Sequence, residues 1–345
     1  MTDYKFSVII PAYNCAGTIK NAVDSVLSQS YDNFELIIVN DGSTDSTADV
    51  LNEISISDGR VKTFYQKNSG PAKARNLGIK NSSGDYVLFI DSDDRFNTGA
   101  FEKINGYLNE NETQMLIFGF SQIFTDSGKR KDYRFDSMYA EKLSDIGARF
   151  GELYRSDVLN QVWNKAFFRK MLIDNNIVFP DLKYGEDRLF CAQCLKCANG
   201  IKIADDILYD YIIDSSLSLI SGWYDKKFYA CNEIYKEFSS LSDICEPSGD
   251  KRDIKYMYMK SVLSCLTVLY SKKCKKSNAE KQSDNKKIIS SDEISSVLDI
   301  KFAKVSDELI RKILISKNVF LSSLLAKTTV FAQENMTSLF LKLKS

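Results

Sequence analysis

Tyr86-Val-Leu-Phe-Ile-Asp-Ser-Asp-Asp94 is the stretch that decides how this chain is read. Its five consecutive apolar residues predict a strand buried on both faces. Strands of that kind belong to parallel sheets with helices on each side. Three carboxylates follow at once: Asp91, Asp93 and Asp94. In open α/β sheets, ligands bind outside the carboxyl ends of the strands. Carboxylates this close repel unless a positive charge sits among them. A divalent metal with bound phosphates meets that need, because hard cations take oxygen ligands.

The segments around this strand keep the same rhythm. Phe6-Ser-Val-Ile-Ile10 predicts a first strand stopped by Pro11, and Thr18 to Gln29 an amphipathic helix. Phe34–Asn40 and Val61–Tyr65 predict two more strands, Pro71 to Lys80 a helix, and Met115–Phe120 a fifth strand. Strands alternating with helices imply βαβ units and a mostly parallel sheet. After Phe120 the rhythm changes. Asp126–Asp136 is polar and reads as a loop. Beyond Gly222 the pattern is helical only. Residues 271–290, rich in Lys, Ser and Asn, read as a solvated loop, and Ser306 to Phe331 as one amphipathic helix. Met336, Leu339, Phe340, Leu341 and Leu343 add an apolar tail.

Composition narrows the chemistry. The 345 residues are 44% hydrophobic and 27% charged, as in a globular protein with a sizeable core. Lys+Arg and Asp+Glu both number 46, so no global charge invites nucleic acid. The charge is unevenly spread: residues 1–250 carry a net −10 and residues 251–345 a net +10. Such asymmetry suits either an anionic partner surface for the C-terminal part or attraction between the two parts. With no histidine, proton transfer must rest on other groups, and Ser-His or Cys-His triads are excluded. Eight cysteines in a chain of this length do not make a disulfide framework. No signal pattern or membrane span is read, so the cytoplasm is the expected compartment.

Several short segments carry candidate chemistry. Pro11-Ala-Tyr-Asn14 and Asn40-Asp41-Gly42 follow strands one and two at the same sheet edge. A carboxylate there can accept the imide N–H of a uracil. Asn68-Ser-Gly-Pro-Ala-Lys-Ala-Arg-Asn76 opens a helix. Lys73 and Arg75 near a helix N-terminus oppose the macrodipole, a conflict that an anionic ligand resolves. Gly185-Glu-Asp187 supplies two acids at a helix start, and with histidine absent a carboxylate is the plausible base. Cys191, Cys194 and Cys197 lack a fourth ligand and read as buried packing residues.

Together with Ser7-Val-Ile-Ile-Pro-Ala-Tyr-Asn14, Val39-Asn-Asp-Gly-Ser-Thr-Asp45 and Trp163-Asn-Lys165, these segments resemble family-2 glycosyltransferases of the GT-A fold. The motifs occur in the family's order over about residues 5–220. The resemblance implies an α/β, Rossmann-like GT-A sheet with helices on both faces in residues 1–221, followed by an α-helical C-terminal region in 222–345. The nucleotide half would run to about residue 120 and the acceptor half from there to 221. It further implies an inverting transferase that moves a hexose or N-acetylhexosamine from a UDP-sugar to a glycan hydroxyl, with a lipid-linked surface-polysaccharide intermediate as the expected acceptor. Pro11, Tyr13, Asn14, Asp41, Asn68, Lys73, Arg75, Asp91, Ser92 and Asp93 would bind the nucleotide sugar. Asp91 and Asp93 would hold Mn2+ or Mg2+. Asp187 would be the base, supported by Glu186, with Trp163 and Lys165 at the acceptor or positioning the site. The family's basic residue in a Tyr-x-Tyr segment is missing from Tyr209-Asp-Tyr-Ile-Ile-Asp-Ser-Ser-Leu-Ser218. Two other readings remain at this point: a sugar-1-phosphate nucleotidyltransferase, disfavoured because residues 11–18 hold only Gly17, and a non-catalytic glycan-binding or assembly subunit. For residues 222–345, packing into a core or a homo-oligomer competes with peripheral contact on the inner face of the plasma membrane.

Overall fold

The computed structural model describes residues 1–214 and 222–335. The chain divides into two compact units. Met1–Leu182, Glu186–Asp214 and Ile244–Pro247 form the first, and the remaining described residues form the second.

The first unit runs β1 (Phe6–Ala12), α1 (Ile19–Leu27), β2 (Phe34–Asn40), α2 (Thr47–Ser57), β3 (Val61–Tyr65), α3 (Pro71–Asn81), β4 (Tyr86–Phe89), β5 (Arg95–Phe96), α4 (Ala100–Glu110) and β6 (Met115–Phe124). It continues through β7 (Arg130–Tyr133), β8 (Met138–Ala140), α5 (Arg149–Arg155), β9 (Lys165–Phe168), α6 (Arg169–Asp174), α7 (Glu186–Cys197) and β10 (Ile201–Ile213). The strands form one sheet with the path β3-β2-β1-β4-β9-β6-β10-β5. β1 lies parallel to β2 and β4, with Ala12 opposite Asn40 and Ile9 opposite Phe89. These three strands therefore end at one edge. β2 and β4 are buried throughout, and β1 everywhere but Pro11. Burial on both faces is why they read as continuous apolar runs. β9 runs antiparallel between β4 and β6.

One expectation for this unit fails. Within the polar stretch Asp126–Asp136, Arg130–Tyr133 is a strand that pairs antiparallel with an extended β6. Cross-strand pairs outweigh the polar composition here. The Phe120 and Tyr133 rings stack at 4.6 Å, and Ser121 donates to Asp132 at 2.6 Å.

The second unit is helical among its described residues. It holds most of α8 (Lys227–Cys245), then α9 (Arg252–Tyr270), α10 (Asn278–Ile289), α11 (Asp292–Val297), α12 (Val305–Ile315) and α13 (Val319–Asn335). Met259, Val262, Leu266, Ile289 and Leu314 share its core. Residues 271–290 are not simply a loop, because α10 occupies most of them. A capping box starts it: Glu280 N–H donates to Ser277 Oγ, and Ser277 N–H donates to the Glu280 carboxylate. Ile288 and Ile289 then anchor its end in the core. The single helix expected from Ser306 to Phe331 is two helices. Lys317 takes a left-handed φ of 54°, and the Asn318 side chain accepts from Leu321 N–H to start α13. The apolar tail from Met336 to Leu343 lies outside the described residues.

Candidate active site

Eight of the ten residues assigned to the nucleotide sugar line one cleft of about 450 Å³: Pro11, Tyr13, Asp41, Asn68, Arg75, Asp91, Ser92 and Asp93. Ala12, Gly70 and Pro71 complete its wall. The cleft lies at the edge where β1, β2 and β4 end, and the N-terminus of α3 closes it. Asn14 and Lys73 do not line it. Asn14 braces the following turn: its Oδ1 accepts from Thr44 N–H at 2.8 Å, and its N–H donates to Ser43 Oγ. Lys73 is half exposed and pairs with Asp181 at 3.1 Å.

Asp41 is 4% exposed and strongly held. One carboxylate oxygen accepts from Gln66 Nε2 and Ser69 N–H, and the other from Gly70 N–H at 2.8 Å. The second oxygen keeps a lone pair for one more donor. Gly42 follows with φ +71°, and a Cβ there would meet Asn68 N at 2.7 Å. Only glycine allows the β2 turn to approach the Asn68 backbone so closely.

Arg75 joins the cleft to the acid pair Glu186–Asp187. It is buried, and it donates to Asp91 at 2.9 Å and to Asp187 at 2.8 Å, with Glu186 3.9 Å away. Burial works against its charge, but the three carboxylates outweigh it and raise the guanidinium further above its usual value. The conflict between an N-terminal cation and the α3 dipole is thus resolved within the protein.

Asp187 stands in the first turn of α7, after Gly185 with φ +76°. Phe190 seats this helix by stacking on Phe179 at 3.9 Å and meeting Phe89 and Phe167 edge-on. Burial pushes the Asp187 carboxyl up to about 7. Arg75 pulls it down, while Glu186 and Asp91 push it up. A carboxyl titrating there is suited to proton transfer near neutrality. Asp93 is also raised, by desolvation and by the adjacent Asp91 charge.

Trp163 and Lys165 lie inside the fold. Trp163 is 4% exposed and stacks on Tyr209 and Tyr211 at 4.7 and 5.4 Å. Lys165 is fully buried, and burial lowers it to about 8. Its ammonium donates to Val158 O at 2.6 Å, to Asn164 Oδ1 at 2.7 Å and to Gln161 O. It ties down the segment from Val158 to Asn164. Cys191 and Cys194 pack as buried residues of α7, and no cluster of three or more metal-binding side chains occurs among the described residues.

Asp94 and Tyr209 form a lock that sequence reasoning left without a role. Asp94 is fully buried and raised well above the usual carboxyl range, chiefly by burial. It accepts from Tyr209 Oη at 2.7 Å and from Ile212 N–H at 2.8 Å. Tyr209 Oη in turn accepts from Asp91 N–H at 3.2 Å. The lock ties the loop that carries Asp91 and Asp93 to β10. A third acid directly after Asp93 was the available signal. Of Tyr209–Ser218, the stretch without the family's basic residue, residues 215–218 lie outside the described residues.

The model of the family described as "Glycosyl transferase family 2" matches residues 7–174. An uncharacterized glycosyltransferase of Haemophilus influenzae is 30% identical over 211 residues, covering 59% of this chain and 75% of that protein. The chain belongs to glycosyl transferase family 2. The putative glycosyltransferase EpsH of Bacillus subtilis is 31% identical over 226 residues, which cover 65% of this chain and 64% of EpsH. Over the first curated relatives it matches, this family member spans between 35% and 64% of their length. The crystal structure of Staphylococcus aureus TarS 1-349 in complex with UDP-GlcNAc shares its fold. The TM-score is 0.66 at 21% identity, over 94% of this chain and 91% of that one. The GT-A architecture with a helical C-terminal region is thereby established.

Proposed function

We propose that this glycosyltransferase moves a hexose or N-acetylhexosamine from a UDP-sugar to a glycan hydroxyl, with inversion, by a single displacement. The observation that carries this reading is the Arg75 network, in which one buried guanidinium holds both Asp91 of the donor cleft and the half-buried Asp187. Binding and proton transfer thereby meet at one sheet edge. TarS, which shares the fold, crystallised in complex with UDP-GlcNAc, and this supports a UDP-linked donor here.

In this reading the free lone pair of Asp41 accepts the imide N–H of uracil, and Tyr13 and Asn68 flank the base. Asp187 takes the proton of the acceptor hydroxyl as that oxygen attacks the anomeric carbon. Burial keeps its affinity for a proton high, while Arg75 keeps it ionised often enough to act. Glu186 supports it from the same helical turn. Trp163, Lys165 and the Asp94–Tyr209 lock position the two acid loops. Inversion requires no protein nucleophile.

A divalent metal fits the residues present. Asp91 and Asp93 sit on one loop of the cleft, and desolvation together with the adjacent Asp91 charge raises Asp93. Two carboxylates leave the remaining coordination to phosphate oxygens and water, as is usual for Mg2+ and similar hard cations. When bound, Mn2+ or Mg2+ would neutralise charge on the departing diphosphate. The acceptor we expect is a glycan carried on a lipid. Incubation with a panel of UDP-sugars, with Mn2+ or with chelator, tests the reading. Release of UDP from at least one donor only in the presence of metal is expected. Release from none, or equal release with chelator, would overturn it.

A further inference from the structure

We propose that another cleft, at the opposite edge of the sheet from the candidate active site, binds a neutral glycan. It measures about 580 Å³, and all the residues that line it belong to the first unit. Tyr86 opens β4, Gln114 precedes β6 and Gly200 precedes β10, so the cleft lies where these parallel strands begin. Asp91 follows the far end of β4, roughly 17 Å away at the rise of an extended strand. A ligand here is out of reach of the reacting atoms, so the cleft holds a glycan and does not transform it.

Segments far apart in sequence build the wall. Tyr86 Oη donates to Thr113 O at 2.6 Å, Tyr139 Oη to Glu112 O at 2.9 Å, and Asn199 N–H to Gln114 Oε1 at 3.0 Å. Tyr4 meets Tyr86 edge-on at 5.1 Å, and Phe168 meets it at 5.4 Å. Tyr4, Tyr139 and Phe168 are half-buried, which leaves ring surface for the apolar C–H face of a sugar. Polar groups accompany the rings. Glu112, Glu141 and Asn199 are exposed, and their side chains make no hydrogen bond or ion pair among the described residues. Burial, and then the Glu141 and Glu112 charges, raise the Tyr139 hydroxyl, so both acids lie near that ring. Ionised carboxylates accept hydrogen bonds and amides both donate and accept, which matches a ligand rich in hydroxyls. The buried Thr113 hydroxyl, in the same wall, also lacks a partner among the described residues.

Charge narrows the occupant further. Two acids, Glu112 and Glu141, face one cation, Lys142, which disfavours a nucleotide, a phosphate or an anionic lipid. Aromatic rings with a few placed polar groups are the usual lining of a small-molecule cleft, and the volume falls in the common range of ~300–1,000 Å³. The choice of a glycan rests on the proposed reading of this chain as one that acts on glycans.

The test is a ligand-observed NMR titration of the full chain, without UDP or metal, using chitohexaose, maltohexaose and cellohexaose, with tetralysine as a cationic probe. Binding of at least one sugar is expected. Tyr139→Ala, and separately Glu112→Gln with Glu141→Gln, should each weaken it about tenfold or more, and Asp93→Ala should leave it unchanged. Circular dichroism checks the fold, and the Glu pair, being exposed, keeps the test open if Tyr139→Ala unfolds. Binding of none of the sugars overturns the inference, as does binding that both variants leave unchanged. Sugar binding lost in Asp93→Ala assigns it to the active-site cleft, and binding of tetralysine alone assigns the cleft to a cationic peptide; each overturns the inference. Metal-dependent UDP release without sugar binding here would overturn this inference alone, and sugar binding here without UDP release would overturn the proposed function alone.

Discussion

Asp93 and Asp187 are both acids with raised affinity for protons, but their surroundings differ. Asp93 lines the cleft on a loop with Asp91 and has no cation paired with it among the described residues. Asp187 is half-buried beside Arg75, which contacts it at 2.8 Å. Repulsion beside an open cleft favours capture of a mobile cation. Burial beside a fixed cation favours a carboxyl that exchanges one proton near neutrality. The proposed function gives these two acids different tasks by environment, and the difference can be broken at either end.

The largest effect is expected at the open end. Asp93→Ala should abolish sugar transfer and also weaken UDP binding in Mn2+, leaving an affinity that chelator no longer changes. Titration calorimetry with and without chelator measures this. Next comes the pH profile. In the proposed mechanism Asp187 acts in its ionised form, so turnover should rise about tenfold per unit of pH below its midpoint near 7 and level off above it. Arg75 lowers that midpoint, so Arg75→Met should move the rising limb to higher pH, with activity partly regained in alkaline buffer. A profile that keeps its midpoint in this variant would separate Arg75 from the base.

Smaller effects test the scaffold that keeps the two acids in place. Tyr209→Phe removes a donor from buried Asp94 and an acceptor from Asp91 N–H, and should cost about 1–3 kcal/mol in chemical denaturation. It should also lower turnover, because the metal loop loses its tie to β10. In the second unit, Ser277→Ala removes the α10 capping box and should cost about 1 kcal/mol with no change in UDP affinity.

The parallel half of the sheet was legible because strands buried on both faces write themselves as apolar runs. β2 and β3 fall within the residues expected of them. The antiparallel parts were less legible. Lys165–Phe168 and Arg130–Tyr133 are short, and what makes them strands is the partner across the sheet, which their own residues do not encode. The two-helix break at Lys317 turned on a single left-handed residue. In the candidate site, residue types and order pointed to the sheet edge. Networks did not appear in sequence: Arg75 spans 112 positions to reach Asp187, and Tyr209 spans 115 to reach Asp94. Asn14 and Lys73 illustrate the converse, since motif residues can serve the turn or helix that carries the site rather than line the cleft.

The central claim is that Asp187 moves a proton while Asp93 serves donor binding. Its most direct test is Asp187→Asn, measured for sugar transfer and for UDP affinity in Mn2+ under the same conditions. The account predicts a fall in turnover of about 10² or more, with UDP affinity within about twofold of wild type. Turnover that stays at the wild-type rate, or a loss of UDP affinity as large as the loss of rate, would contradict it.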